Sequence, residues 1–326
     1  MIAWPTERVL ITGAGGYLGA PLARRVRDLG AEVIGLDVGT TSPTWRVWGH
    51  QEPILWRNVL DAANIAMTVM DARPTVVYHL AGFSHIQPAQ RDPVTAWDRN
   101  VRGTWNTLDA CRVYQERTGA LKAAVVSSSN HVYHSGSAPW TEYDMPKPRD
   151  IYGGSKLCAD IVAQVYARSF GLPVIPLRHV NVYGASPHAS HLVTAAVLAA
   201  LEGRPFVVRG EGKARKGYLY LDDAIDAYLR CAELAAEGLE HGQPLNAGAD
   251  PISVLDLVRL VSDLTGGPEP VIEPRDATHA DQADYHETLS SARLATHGWQ
   301  PKVSLRDGIR RTFAWYQEHG GMAWLQ

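Results

Sequence analysis

The apolar run Arg8-Val-Leu-Ile-Thr12 leads directly into Gly13-Ala-Gly-Gly16-Tyr-Leu-Gly19, and no other stretch leaves so few folds open. A short apolar run reads as a buried strand, and glycines at 13, 16 and 19 ahead of a helical pattern read as a tight turn into a helix N-terminus. Each glycine has its own use there. One permits the turn, one lets the backbone approach an anion, and one lets the helix pack closely on the strand. Exposed amides and the helix dipole suit a pyrophosphate, which makes this turn a candidate dinucleotide seat. The next strand-like run, Glu32-Val-Ile-Gly-Leu36, closes with Asp37, placed about 20 residues on, where a carboxylate can take ribose hydroxyls. Val38, Gly39 and Thr40 follow it, with no Arg for a 2′-phosphate, and this favours NAD over NADP. The plain alternative for Asp37 is an ordinary turn residue.

Apolar strand-like runs recur near 8–12, 32–36, 54–57, 75–80, 122–127 and 173–178, with helical patterns between most of them. That alternation predicts an α/β fold, a doubly wound parallel Rossmann sheet with right-handed crossovers and a ligand crevice at the carboxyl ends of its strands. After Tyr183-Gly184 the pattern changes: a helix over 191–203, a strand over 205–209 and a basic loop over 210–217 are expected. A helix from Asp222 to Ala236, capped by Asp222 or Asp223, then returns the chain to the first domain. Two more helices are expected at 253–265 and 304–318, the latter opening on the capping signal Ser304-Leu-Arg-Asp307. The expected domains are 1–182 with 218–245 returning to it, and a smaller, discontinuous α/β substrate domain formed by 183–217 and 246–326.

With 326 residues, 45% of them hydrophobic and 20% charged, the chain can bury more than one core. A formal net charge of -3 gives no basic surface for nucleic acid. No run of about 18 apolar residues suggests a membrane span, and the first residues lack the pattern of a secretory signal, so a cytoplasmic location is expected. Cys111, Cys158 and Cys231 are far apart and read as buried reduced thiols. The histidines show no ligand pairing backed by a carboxylate, and no metal site is expected.

Tyr152 and Lys156, in Ile151-Tyr-Gly-Gly-Ser-Lys156, lie four apart and would share one helix face. An ammonium beside a phenol favours the phenolate, so Lys156 is expected to lower the Tyr152 pKa and make it a proton acceptor for an alcohol. Alone, such a pair also fits a half-buried Tyr beside a solvated Lys. Combined with the upstream glycine turn, it fits alcohol oxidation at a nicotinamide.

Several other stretches fall in the same order: His79-Leu-Ala-Gly82, Asn100-Val-Arg-Gly-Thr104, Ser127-Ser-Ser129, Arg178 to Asn181 with Val182-Tyr-Gly184, Tyr218 to Asp223, and Gly298-Trp-Gln-Pro-Lys302. On these residues the chain resembles the extended short-chain dehydrogenase/reductase family, in its NAD-dependent nucleotide-sugar epimerase and dehydratase branch. The resemblance implies Tyr152, Lys156 and Ser129 as catalytic residues. Its implied NAD contacts are Gly13, Gly16, Tyr17, Leu18, Gly19, Asp37, Asn58, Val59, Leu80, Ala81, Gly82, Asn100, Ser127, Tyr152, Lys156 and His179. Its implied nucleotide-sugar contacts are Ser84, Ser129, Asn130, His131, Tyr152, Asn181, Arg215 and Lys216. Ser84 fits a polar loop residue equally well, and the three serines also fit a plain strand end. Lys213, Arg215 and Lys216 read either as a phosphate grip or as a solvated charged loop. A homodimer through the helices near 100–117 and 152–170 is also implied.

The family's 4,6-dehydratases place an acid pair after the catalytic hydroxyl, where this chain has Asn130 and His131. An amide neither donates nor accepts a catalytic proton near neutrality. C4 epimerisation through a transient ketone needs no such pair and is the favoured expectation. A 4,6-dehydratase is the alternative, from the resemblance of residues 217–228 to cytidine-diphosphate-glucose dehydratases. A uronate-type oxidoreductase is a further one, from Ser128-Ser-Asn-His131. His131 reads either as a titrating group or as a satisfied polar side chain. The usual Pro after Tyr183-Gly184 is missing, and an Arg-x-Gly-Asp element is not cleanly placed near Arg275-Asp276, so the nucleotide or the sugar is expected to be unusual.

Overall fold

A computed structural model describes residues 1–39, 48, 54–133, 139–185, 191–274 and 286–320. The chain forms two compact units. The first comprises Met1–His134, Glu142–Arg178 and Ile225–Asn246, and the second Ser135–Thr141, His179–Ala224 and Ala247–Gln326.

The first unit is built on strands β1 (Arg8–Thr12), β2 (Glu32–Asp37), β3 (Ile54–Trp56), β4 (Val76–His79), β5 (Ala123–Ser127), β6 (Val174–His179) and β7 (Leu245–Ala247), in the order β7-β6-β5-β4-β1-β2-β3. The pairings from β6 across to β3 are parallel, as the alternating pattern predicts. The strands near the middle explain why: every residue of β4 and β5 is buried, which requires helices on both faces. Those helices include α1 (Gly19–Asp28), α2 (Ala62–Ala72), α3 (Gly103–Thr118), α4 (Ile151–Phe170) and α5 (Leu221–Ala236). Leu10, Val77, Leu108, Ala124, Val126, Ala163 and Val174 belong to the core between sheet and helices.

Local chemistry sets the ends of α4, the helix that carries Tyr152 and Lys156. Asp150 caps its start by accepting from the Gly153 amide at 2.7 Å, and Gly171 ends it in the left-handed region at φ 64°. A five-residue π turn, Asp98–Arg102, precedes α3, and such single π turns recur at functional sites.

In the second unit, Pro251–Ser253, Arg215–Tyr220 and Asn181–Tyr183 form a three-stranded sheet, and Val271–Glu273 pairs in parallel with Val207–Arg209. Helices Leu192–Leu201, Val254–Thr265 and Leu305–Glu318 contribute apolar side chains to a core that also holds Tyr183, Tyr218 and Tyr220. The capping signal read at Ser304 is present: its Oγ accepts from the Asp307 amide at 3.1 Å.

Four expectations are corrected. The basic stretch 210–217 is not all loop, because Arg215–Tyr220 is the central strand of the three-stranded sheet, antiparallel to Pro251–Ser253 and parallel to Asn181–Tyr183. Its charged first residues hide a strand that only pairing reveals. That same pairing draws the first boundary to Arg178 rather than 182, and gathers Tyr218–Ala224 into the second unit. Asp223 does not serve as a cap. Its carboxylate accepts from the amides of Lys302 at 3.0 Å and Val303 at 2.9 Å, and so pins residues 302–303. Cys111 and Cys231 are buried, while Cys158 is only half-buried. Among the described residues, no helix is long and apolar enough to cross a membrane.

Candidate active site

The glycine turn after β1 has the geometry its residues imply. Gly13 adopts φ 71°, and a Cβ on it would stand 2.7 Å from the Ala81 amide. A Cβ on Gly19 would overlap the Gly13 carbonyl oxygen. Only glycine permits both the turn and the close packing of α1 on β1. Leu80 and Ala81 continue from β4 and donate their amides to Thr12, to its carbonyl at 3.1 Å and its hydroxyl at 3.3 Å. Asp37 lies at the end of β2. Its Oδ2 accepts from the Gly15 amide at 2.8 Å and its Oδ1 from the Val38 amide at 2.7 Å. The carboxylate therefore shapes the same turn that would receive a pyrophosphate. Thr40 lies outside the described residues.

Asn58 and Val59 follow β3. The Asn58 Oδ1 accepts from Leu60, and the Val59 carbonyl accepts from Asn106 at 2.9 Å on α3. Tyr17 and Leu18 are half-buried at the start of α1. His179, at the end of β6, directs Nδ1 to the Val180 carbonyl at 2.9 Å. His79 is buried, with Nδ1 against Thr12 Oγ1 at 2.8 Å and Nε2 against Thr104 Oγ1 at 3.1 Å. Burial and the nearby Lys156 cation push its pKa down to about 3, so it stays neutral beneath the turn.

Ser129, Tyr152 and Lys156 meet beside the carboxyl end of β5, all buried. The Ser129 hydroxyl faces the Tyr152 phenol and acts to lower its pKa. Lys156 Nζ donates to the Ser127 carbonyl at 2.9 Å. Asn130 Oδ1 accepts from Ser129 Oγ at 3.3 Å, and the His131 amide donates to Ser129 Oγ at 3.2 Å. The His131 ring packs edge-on against Tyr152 with centroids 5.5 Å apart, and its Nδ1 is 3.6 Å from Asp150 Oδ2. Ser84 is exposed and pairs with the ring of its neighbour His85 at 2.8 Å.

The expected electrostatics of the pair are overturned. Burial pushes the Tyr152 phenol up to about 12, against the Ser129 hydrogen bond and with the Asp150 carboxylate adding to the rise. Burial also brings the Lys156 ammonium down to about 8. Desolvation penalises both charged forms, and the ammonium is engaged with a carbonyl, so the two groups do not simply offset each other. Asn100 is buried. It lies in the π turn, accepts from the Phe83 amide at 2.6 Å and donates to Ser155 Oγ at 2.8 Å, while Ser155 Oγ donates to the Tyr152 carbonyl at 2.8 Å. It ties the loop after β4 to the first turn of α4.

In the second unit, Lys216 Nζ lies 2.7 Å from Glu287 Oε1, and Asn181 Nδ2 donates to Glu287 Oε2 at 3.0 Å. Arg215 is exposed and donates to the Pro251 carbonyl at 2.7 Å, and Lys213 pairs with Glu211 at 2.5 Å. The supposed phosphate grip is thus a set of cations that each already face an acceptor. Glu287, buried and facing Lys216, was not singled out from sequence, nor was Asp150. An Asp two residues before Tyr152, at a helix start, was the available signal for Asp150. Nothing local marks Glu287, which is 71 residues from Lys216. The Arg275-Asp276 element lies outside the described residues.

A glycine cradle closed to any side chain, with a buried set of Ser129 after β5 and Tyr152 and Lys156 on α4, defines a Rossmann-type dinucleotide enzyme of the short-chain dehydrogenase/reductase kind. Residues 9–248 match the model of the NAD dependent epimerase/dehydratase family. The chain belongs to that family, and its cofactor is NAD. It is 26% identical, over 341 residues, to a probable UDP-glucuronate 4-epimerase of Rhizobium meliloti (strain 1021), covering 96% of this chain and 97% of that one. The UDP-glucose 4-epimerase of Thermus thermophilus, solved in complex with NAD, superposes with a TM-score of 0.82 at 27% identity, over 95% of this chain and 99% of that one. The dTDP-glucose 4,6-dehydratase of Streptomyces venezuelae, also solved with NAD, gives a TM-score of 0.84 at 25% identity, over 96% and 98%.

The turn fits the cofactor: the space a Cβ would fill at Gly13 and Gly19 is closed to side chains, and the Asp37 carboxylate stands at its edge. Asp37→Ala removes the expected acceptor for ribose hydroxyls and the contacts to the Gly15, Val38 and Gly39 amides. A loss of about 1.5 to 3 kcal/mol corresponds to a rise in the NAD Kd of about tenfold or more. Titration calorimetry measures it, and an unchanged Kd would exclude Asp37 as a ribose ligand.

Proposed function

We propose that the protein epimerises a nucleotide-activated sugar, at C4, through a transient 4-keto sugar. The substrate class is supported by the UDP-sugar and dTDP-sugar activities of the relatives named above. The observation that carries the reaction type is Asn130: the side chain next to Ser129 in space and sequence is an amide, which cannot supply the acid needed to expel water.

NAD bound at the glycine turn supplies a two-electron acceptor that can give the electrons back. Tyr152 takes the proton from the sugar hydroxyl and returns it after the ketone has turned over. Ser129 holds the same sugar oxygen and, through its bond to the phenol, favours the phenolate. Lys156, anchored on the Ser127 carbonyl, would hold the cofactor ribose. Burial keeps water from the ketone. In the second unit, Asn181, Arg215 and Lys216 remain the proposed substrate contacts.

A second reading rests on His131. Its contact with Asp150 and its packing on Tyr152 place an imidazole beside the phenol, which suits a proton relay for the water lost in a dehydratase or for the proton released by a uronate-type oxidoreductase. Incubation with a panel of nucleotide sugars, read by mass and proton coupling, decides between them. Equal mass with inverted coupling at C4 supports epimerisation. Loss of water, or stoichiometric reduced cofactor, rejects it.

The helices α3 and α4 expose Trp105, Ile161, Val165 and Phe170, while α4 buries Ala159, Ala163 and Ala167 on its other side. A helix apolar on two faces needs a second partner, and we infer that a second copy of this chain covers it. Light scattering is expected to give the mass of a dimer, and Ile161→Glu the mass of a monomer. A monomeric parent protein would reject the assembly.

A further inference from the structure

The end of β5 and the inner face of α4 are joined by more than the catalytic contacts. Tyr152, Lys156 and Asp160 are spaced four apart and share one helix face. Each meets one of three consecutive serines: the Ser129 hydroxyl faces the Tyr152 phenol, the Ser127 carbonyl accepts from Lys156 Nζ at 2.9 Å, and Ser128 Oγ donates to Asp160 Oδ2 at 2.8 Å. The third rung touches no reacting group, yet it is the most heavily held. Asp160 is fully buried and also accepts from Arg178 Nε at 2.8 Å, Arg178 Nη2 at 3.3 Å and Gln164 Nε2 at 2.7 Å. Arg178, itself buried on β6, donates its Nη1 to the Tyr133 hydroxyl, which in turn bonds Asn246 Oδ1 at 3.3 Å.

A buried ion pair is weak support for stability, because an apolar pair of similar volume often serves as well. What the apolar pair would lack is direction. The carboxylate, fixed by the guanidinium fork, holds the Ser128 hydroxyl at one point, and Ser128 stands between the two serines that meet Lys156 and Tyr152. We propose that Asp160 and Ser128 are positioning residues of this enzyme, setting the register of β5 on α4 and thereby the separation of Ser129 from Tyr152. The inference rests on Tyr152 being the proton acceptor.

Asp160→Asn leaves Arg178 buried beside a neutral group and can fail to fold, so the milder Ser128→Ala carries the test, with the NAD-bound protein assayed well below its Tm. A misplacement on the order of 1 Å at the reacting centre lowers rates up to about a hundredfold, and loss of one rung is expected to lower kcat by about tenfold. KM and the NAD Kd are expected to stay within about twofold, because the glycine turn and the second unit are untouched. Ser262→Ala removes a part-buried bond of the same length, from Ser262 Oγ to the Pro268 carbonyl at 2.8 Å in the second unit, and should leave kcat at the parental value. Parental kcat in Ser128→Ala, or a change confined to KM, overturns the proposal even where Tyr152→Phe is inactive. Full turnover in Tyr152→Phe removes the proton-acceptor reading itself, and the positioning role with it.

Discussion

Tyr152→Phe is expected to lower kcat by about 10²- to 10⁴-fold while the protein still binds NAD, which is the range one positioned acid–base group contributes. The ring occupies a buried place against the His131 imidazole with centroids 5.5 Å apart, and Phe fills that place without its hydroxyl. The lost atom is the phenol oxygen facing Ser129, so the change removes the proposed proton acceptor and little else. The outcome also bears on the raised phenol. Burial pushes Tyr152 up to about 12 and brings Lys156 down to about 8, and the positive charge of a bound nicotinamide would favour the phenolate. The measurement is turnover of an accepted nucleotide sugar beside the NAD content of the same sample. Near-parental kcat with NAD bound would strike Tyr152 from the mechanism.

Gly19→Ala is expected to damage cofactor binding more than any other single-methyl change. The new Cβ would overlap the Gly13 carbonyl oxygen and stand 2.8 Å from its carbon and 2.9 Å from Ala14 Cα, all backbone atoms. Ala14 and Ala20 are fully buried, so neither side can give way cheaply. Overpacking of this kind costs about 1 to 3 kcal/mol. Relief by shifting the turn moves the amides that face the pyrophosphate, and the NAD Kd is expected to rise by about 10- to 100-fold. Calorimetric titration of the folded variant measures it. Parental affinity would mean that the glycine turn is not where the cofactor binds.

Much of this protein follows from short-range pattern. The run 8–12 is apolar because β1 lies between β2 and β4 in the sheet, and the helix at Ser304 is announced by a cap whose partner is three residues away. The same locality made Tyr152 and Lys156 visible as a pair. It failed where partners are distant. Arg215–Tyr220 opens with two cations and reads as loop, and it is a strand because Asn181–Tyr183 and Pro251–Ser253 bracket it. Asp223 has the position of a cap but holds amides 79 and 80 residues away.

The sequence by itself determined the doubly wound sheet, the glycine turn and the Tyr152–Lys156 pair, because periodicity, turn chemistry and helix spacing are properties of neighbours along the chain, while Ser129 was implied only by the family resemblance. Only the tertiary structure decided the charge state of that pair and the fate of the cations at 213–216. Desolvation depends on what surrounds a group in space, and burial moves both Tyr152 and Lys156 toward their neutral forms. Lys216 is neutralised by Glu287, a partner brought alongside it by sheet pairing and marked by no motif.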